Sequence, residues 1–360
     1  EAAYNITIET ITGMPQGTGD SKFKVGVQEI DSPLVLTIHE TPTISPAGKP
    51  IEVSQRVLYY LSYLRDATQN LTDDWGNPIN LNILPLQKAI NLEKEPPYIL
   101  LPFDNEEKPV SLVPFINGKY FINSAGELVT TQEVFLAGRA LAAYSKVAQH
   151  YPKAHQFTSL PFEHFVNHIA DVTNKEQIWE RLGYILSNRK NEGPTASRLG
   201  QAYLAEMHES GQRLLAAWDH IQNNQDIFLQ ALIHGDFFTD NAIISNKQEF
   251  FMIDFSHMSQ GPIGIDLGIS LNSWASQEGV PHMTNVIRFL QGVNSVTPLT
   301  TDLLTMIPTF AQLAAFRWET FRIQFIMEKD LRHHPARSPE EFQRLRQAWQ
   351  TITLDQNTIS

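Results

Sequence analysis

Between residues 53 and 67 the apolar side chains Val57, Leu58, Leu61 and Leu64 recur at three- and four-residue intervals, the spacing that lines one face of a helix. The chain around that helix has a different rhythm. From 11 to 38, short runs rich in Val, Ile, Leu and Thr are broken by a turn holding Gly13, Gly17 and Gly19. The later runs NILPLQKA, YILLPF and VSLVPF are punctuated by proline, and all of these read as strands. After Gly118 helices take over. Thr130 followed three residues later by Glu133 has the form of a capping box, and the apolar face of VFLAGRALAAYSKVAQHY behind it predicts a long helix. Helical spacing also covers 163–170, 176–187, 196–223, 283–292, 301–330 and 339–353. The pattern predicts an α+β chain with a small antiparallel, β-rich N-lobe over 1–115 and a mainly helical C-lobe over 116–360.

A chain of 360 residues with 42% hydrophobic composition buries a large core and exceeds the size at which one core stops growing, which agrees with two lobes. The formal net charge of -12, with no long Lys/Arg run, argues against nucleic acid or an anionic membrane as partner. Absence of cysteine removes disulfides and thiolate chemistry. No apolar run reaches the length of a membrane span, and no basic segment followed by an apolar one opens the sequence, so the expectation is a soluble, cytoplasmic protein.

The candidate chemistry sits in HGDFFTDNAIISNKQEFFMIDF, residues 234–255. NAIIS and EFFMIDF are short apolar runs joined by SNKQ, which predicts a β-hairpin. A hairpin returns the chain to its start, so Asn241 at one end and Asp254 at the other are expected side by side, with Asp236 on the preceding loop. Each of the three alone reads as a turn residue. Together they converge three oxygen-bearing side chains, the ligand type that Mg²⁺ prefers, in an order used for phosphoryl transfer: a loop Asp for the acceptor hydroxyl, then an Asn and an Asp for metal. His234 is expected to brace the loop and Asp266 to anchor it. Other chemistries lack their residues: Phe165 stands where a zinc-protease helix through His164 and His168 needs Glu, and neither G-x-S-x-G nor a P-loop occurs.

The form H-G-D-x-x-x-x-N, followed by I-D-F and by G-x-D-L at 264–267, resembles the aminoglycoside phosphotransferase and choline kinase superfamily. A closer resemblance is to the homoserine kinases of that fold. DFFTDNAIISNKQEFFMIDF is similar to their D-L-F-x-D-N-V-x-F, hairpin and I-D-F block, and IDLGISLNSWA to their Y-D-x-x-I-x-L-N-x-W-C. GMPQGTGDSKFKV and PLVLTIHE resemble their Gly loop and following strand. The resemblance implies a two-lobed protein-kinase-like fold and transfer of the γ-phosphoryl of ATP to a small-molecule hydroxyl, homoserine first. It implies Asp236 as the catalytic group, Mg²⁺ on Asn241 and Asp254, Gly17 and Gly19 over the nucleotide, and adenine near Val113 and Phe115. Asn272, Trp274, Arg317 and Arg322 are then candidates for the acceptor side. Another amino-alcohol, sugar or antibiotic kinase, and a pseudokinase that binds nucleotide without turnover, stay open, as does the oligomeric state. Three departures stand out. Thr37 occupies the strand position where most of the superfamily has Lys, a feature the homoserine kinases share; Ser145 replaces a helix His; and Lys22 replaces an Asn. Lys22 and Lys24 share one strand face that could approach phosphates, although a solvated face is the expectation. What replaces the strand Lys is open.

Overall fold

The computed structural model describes residues 7–14, 21–28, 30–38, 50–68, 71–77, 79, 81–83, 99–103, 106–121, 129–157, 159–160, 162–187, 190, 192–247, 249–328 and 338–359. The Gly17 and Gly19 assignment lies outside them.

Strands β1 (Ile8–Gly13), β2 (Ser21–Val27) and β3 (Ile30–Ile38) run antiparallel, followed by α1 (Pro50–Thr68), the short β4 (Asn82–Ile83), β5 (Ile99–Phe103) and β6 (Glu106–Pro114). They build a five-stranded antiparallel sheet in the order β1-β2-β3-β6-β5. Alternation sets its faces: Val25 and Val27 are buried, while Lys22 and Lys24 lie on the other side of β2. Then come β7 (Gly118–Tyr120), α2 (Thr131–Ala148), α3 (Phe162–Thr173), α4 (Glu176–Leu186) and α5 (Gly193–Asn223). The capping box forms at α2: Glu133 N–H donates to Thr130 Oγ1 at 3.2 Å, and Thr130 N–H to Glu133 Oε2 at 2.8 Å.

Next are β8 (Gln230–Ile233), β9 (Ala242–Ser245), β10 (Phe250–Met252), β11 (Ser259–Pro262), α6 (Ile263–Trp274), the β12 (Ser276–Gln277) and β13 (Val280–Pro281) pair, α7 (Met283–Asn294), α8 (Thr301–Glu328), α9 (Pro339–Trp349) and α10 (Gln356–Ile359). The amphipathic helices fall where their spacing predicts them. Helix α6 has no such signal, because Gly264 through Trp274 are all buried and no polar stripe marks a face.

One apolar core joins α2 to α9 and also takes in Tyr60 and Leu64 of α1, together with Ile79 and Leu81. Strand β4 pairs in parallel with β10, Asn82 opposite Phe251 and Ile83 opposite Met252. The first 115 residues therefore contribute to the second body as well as to the sheet. Helix α9 is tied in by charge. Arg346, with no exposed surface, donates through Nε to Glu319 Oε2 (2.9 Å) and through Nη1 and Nη2 to Glu206 (3.0 and 2.9 Å). Among the described residues no helix is long and apolar enough to cross a membrane.

Candidate active site

The β9–β10 hairpin pairs Ala242 with Met252, Ile243 with Phe251 and Ile244 with Phe250. Ile253 N–H adds a bond to Asn241 O at 3.0 Å, so Asn241 and Asp254 flank the open end. Asp254 has φ 59, a left-handed conformation that a short polar side chain tolerates better than a branched one. Its Oδ1 accepts from Ser256 Oγ at 2.6 Å. Asp236 lies beside this end, where Asn241 Nδ2 donates to its Oδ2 at 2.9 Å and to its backbone carbonyl at 2.7 Å.

The loop is held from three sides. Asp266 accepts from His234 N–H at 2.6 Å and from Gly235 N–H at 2.8 Å. Arg317 Nη1 donates to Gly235 O at 2.5 Å. His234 Nδ1 accepts the Asp236 N–H at 3.3 Å, which leaves Nε2–H to donate to Ile253 O at 3.1 Å and fixes a neutral tautomer. Burial agrees, pushing its pKa down to about 4. One imidazole thus links the loop to the strand that delivers Asp254. Gly235 has φ 76, and a Cβ there would stand 2.2 Å from His257 O, so no other residue fits between loop and hairpin exit.

The carboxylates are in unlike surroundings. Asp236 keeps a face open to water but is otherwise enclosed, and burial, reinforced by Asp254 and Asp240, pushes its carboxyl well above the usual range against the pull of Arg317 and Asn241. Burial pushes Asp254 the same way, yet Lys22 and the Ser256 hydrogen bonds outweigh it and hold the group below the usual range. Burial raises Asp266 to about 6. An ionised Asp254 and the amide oxygen of Asn241 suit a hard cation. Among the described residues no three His, Asp or Glu side chains form a closed metal cage. Mg²⁺, the cation this pair would hold, takes one or two carboxylates and completes its shell with phosphates and water.

The other candidates are placed as follows. Asn272 is not open to an acceptor: it is 1% exposed, its Nδ2 donates to Ala311 O and its Oδ1 accepts from Trp349 Nε1 at 2.7 Å. Both ends are used in bracing α6 against α8 and α9, so its acceptor-side assignment is corrected. Trp274 is likewise a core residue, donating to Phe237 O. Arg317 is 4% exposed and works beneath the loop, whereas Arg322 is partly exposed. Arg322 lies 5.9 Å over the Trp318 ring, and Arg317 stands 5.1 Å from that ring and 5.3 Å from Phe321. His257 completes the group, 5.4 Å from Trp318 and 6.2 Å from Phe321. This aromatic wall was not singled out in the sequence; the aromatics interleaved with arginines in AFRWETFR are the signal for it.

Val113 packs on Leu58 of α1, and the Phe115 N–H donates to Pro33 O at 2.9 Å, so Phe115 presents its ring rather than its N–H. That ring lies 4.2 Å beneath Lys24 Nζ. Lys22 Nζ is 4.0 Å from Asp254 Oδ2. Lys22 thus faces Asp254, whereas Lys24 keeps the exposed position expected of a solvated strand face.

A five-stranded antiparallel sheet on a helical body, with an H-G-D loop and a metal-type hairpin below it, is the two-lobed protein-kinase-like fold. The chain belongs to the APH phosphotransferase enzyme family, whose pattern it matches over residues 87–298. It is 30% identical over 132 residues to a homoserine kinase of Gluconobacter oxydans (strain 621H), covering 36% of this chain and 40% of that protein. The match thus spans well under two thirds of that relative. Two solved structures share the fold at 14% identity. A microcompartment-associated aminopropanol kinase aligns with TM-score 0.62 over 97% of this chain and 91% of its own. The amicoumacin kinase hAmiN, in complex with AMP-PNP, Ca²⁺ and Ami, aligns with TM-score 0.61 over 97% and 89%.

Proposed function

We propose that the protein transfers the γ-phosphoryl group of ATP to the hydroxyl of a small molecule bearing a carboxylate, with homoserine the leading acceptor. The observation that carries this reading is Asp236 bonded to Asn241 at the mouth of the hairpin whose other strand ends in Asp254. In this reading the sheet over 1–115 covers the nucleotide, and 116–360 supplies the loop and the acceptor site. Asp236 orients the acceptor hydroxyl and takes its proton; its raised pKa makes it a stronger base than a free carboxylate. Asn241 and Asp254 would hold Mg²⁺, which neutralises charge on the phosphates when bound. The chain's own contribution is then position. Asp266 and Arg317 clamp Gly235 from both sides, so the residue after it meets the acceptor at a fixed place.

Arg317, whose charge acts on Asp236, and Arg322, against the same Trp318 ring, favour an anionic acceptor in this reading. Trp318 and Phe321 form an aromatic wall, but Arg317 and Arg322 lie against it and make it a poor seat for a quaternary ammonium. Arg322, the more exposed of the two, supplies a planar donor set for a carboxylate. Similarity to a homoserine kinase supports the same choice. The test is ADP release from Mg-ATP with L-homoserine, choline, an amino alcohol lacking a carboxylate, and an aminoglycoside. L-Homoserine is expected to be preferred. Turnover with another alcohol and none with homoserine would leave phosphotransfer standing and remove the acceptor; no turnover with any would favour a nucleotide-binding protein without catalysis.

A further inference from the structure

Strands β2 and β3 place Lys22 directly opposite Thr37, and β3 and β6 place Thr37 opposite Ser111. Residues directly opposed across antiparallel strands project to the same face, so the three form one row across the sheet. Thr37 and Ser111 are buried at 8% and 3% exposure and carry hydroxyls, which leaves Lys22 as the cation of that row. Its stem is largely covered, with the side chain 27% exposed, and its ammonium stands 4.0 Å from Asp254 Oδ2. Lys24, two residues on, lies over the Phe115 ring, so this face of β2 follows the line from the hairpin mouth to the segment after β6.

We propose that Lys22 binds the phosphates of the nucleotide, standing on β2 in the place that the neighbouring strand position, Thr37, leaves without a charge. The inference rests on the phosphotransferase reading. Phosphates held by a cation on Asp254 carry negative charge into the space that the Lys22 ammonium already faces. An ammonium on a four-carbon stem serves as a point charge for them without a fixed fork geometry. The cross-strand register allows this placement, since a residue opposite Thr37 lies about 5 Å from it, a distance the lysine stem spans.

The experiment is calorimetric titration, with no acceptor present, of Mg–AMP-PNP and of adenosine into wild type, Lys22→Met and Lys22→Arg. Lys22→Met is expected to weaken Mg–AMP-PNP by about tenfold or more while adenosine stays within about twofold, and Lys22→Arg to recover most of the loss. The paired kinetic readout is a higher KM for ATP with an unchanged KM for the acceptor. Unchanged Mg–AMP-PNP affinity in Lys22→Met, or equal weakening of both ligands, overturns the assignment, the second result marking a structural lysine. Failure of the wild type to bind Mg–AMP-PNP would instead overturn the phosphotransferase reading, and this inference with it.

Discussion

Two glycines at positive φ separate the cost of a backbone shape from the cost of a crowded site. Gly193, at the start of α5, has φ 58 and nothing within 4 Å of the point where a Cβ would stand, whereas Gly235 has φ 76 and His257 O at 2.2 Å from that point. An alanine in the left-handed region costs about 1–2 kcal/mol, offset by about 0.4–1 kcal/mol through loss of unfolded-chain freedom. Gly193→Ala should therefore destabilise by roughly 0.5–1 kcal/mol and leave turnover alone. Gly235→Ala carries the same backbone cost and must also open a contact short by roughly 1 Å of ordinary van der Waals distance. The loop cannot yield freely, because its N–H is held by Asp266 and its carbonyl by Arg317. Giving up one such charge-assisted bond adds about 1.5–3 kcal/mol, so the total is roughly 2–4 kcal/mol. A displacement near 1 Å next to Asp236 should lower kcat by about 10². Thermal unfolding of both variants, with kcat at saturating Mg-ATP and acceptor, reads both quantities. If Gly235→Ala melts like Gly193→Ala and keeps wild-type turnover, the loop is not the rigid clamp these contacts imply.

Asp236→Asn should lower kcat by about 10²–10⁴ while Mg–AMP-PNP affinity measured by calorimetry stays within a few fold, because the proposed role of the group is toward the acceptor. Arg322→Ala should raise the acceptor KM about tenfold or more with the ATP KM unchanged, whereas Arg317→Ala should lower kcat and melting temperature together; steady-state kinetics and melts distinguish the two. Glu206 titrates in acid. Burial alone would raise it, but Arg346, Gln343 and Ser210 hold its pKa down to about 2. A depressed carboxylate stabilises the fold above its unfolded pKa, and that contribution is lost as pH falls from about 4.5 towards 2. With the side chain 36% exposed, screening reduces the effect to roughly 1–2 kcal/mol, and melts of Glu206→Gln between those pH values should lack that part of the acid slope.

Much of the site's layout is written locally. The hairpin follows from two apolar runs around SNKQ, and its closure brings Asn241 and Asp254 together whatever the rest of the chain does. What escapes a sequence reading is set by distant contacts. Nothing in NSW shows that Asn272 is sealed between Ala311 and Trp349, because a buried amide and a ligand-binding amide are the same residue. Arg317 and Arg322 look equivalent until burial separates them. Helix α6 hides its period by being apolar all round, and the two-residue pairing of β4 with β10 joins segments far too distant for any local pattern. Strand alternation does put Lys22 and Lys24 on one face, but which face meets water depends on the body beneath the sheet.

The Arg346 link has a consequence for the order in which the protein becomes functional during synthesis. The whole H-G-D loop, the hairpin and Asp266 are translated before α9, yet Glu319 on α8 receives its guanidinium and Asn272 on α6 its indole donor only from Arg346 and Trp349. A nascent chain that has reached the end of α8 holds every side chain of the proposed site together with a buried carboxylate left with Tyr203 but without its cation, a defect of about 3–5 kcal/mol. Such a chain is expected to stay loosely assembled around α6 and α8 until α9 leaves the ribosome. A premature stop between 328 and 339 would accordingly yield a polypeptide with an intact motif and no stable site, which makes the motif alone a poor guide to activity in truncated relatives.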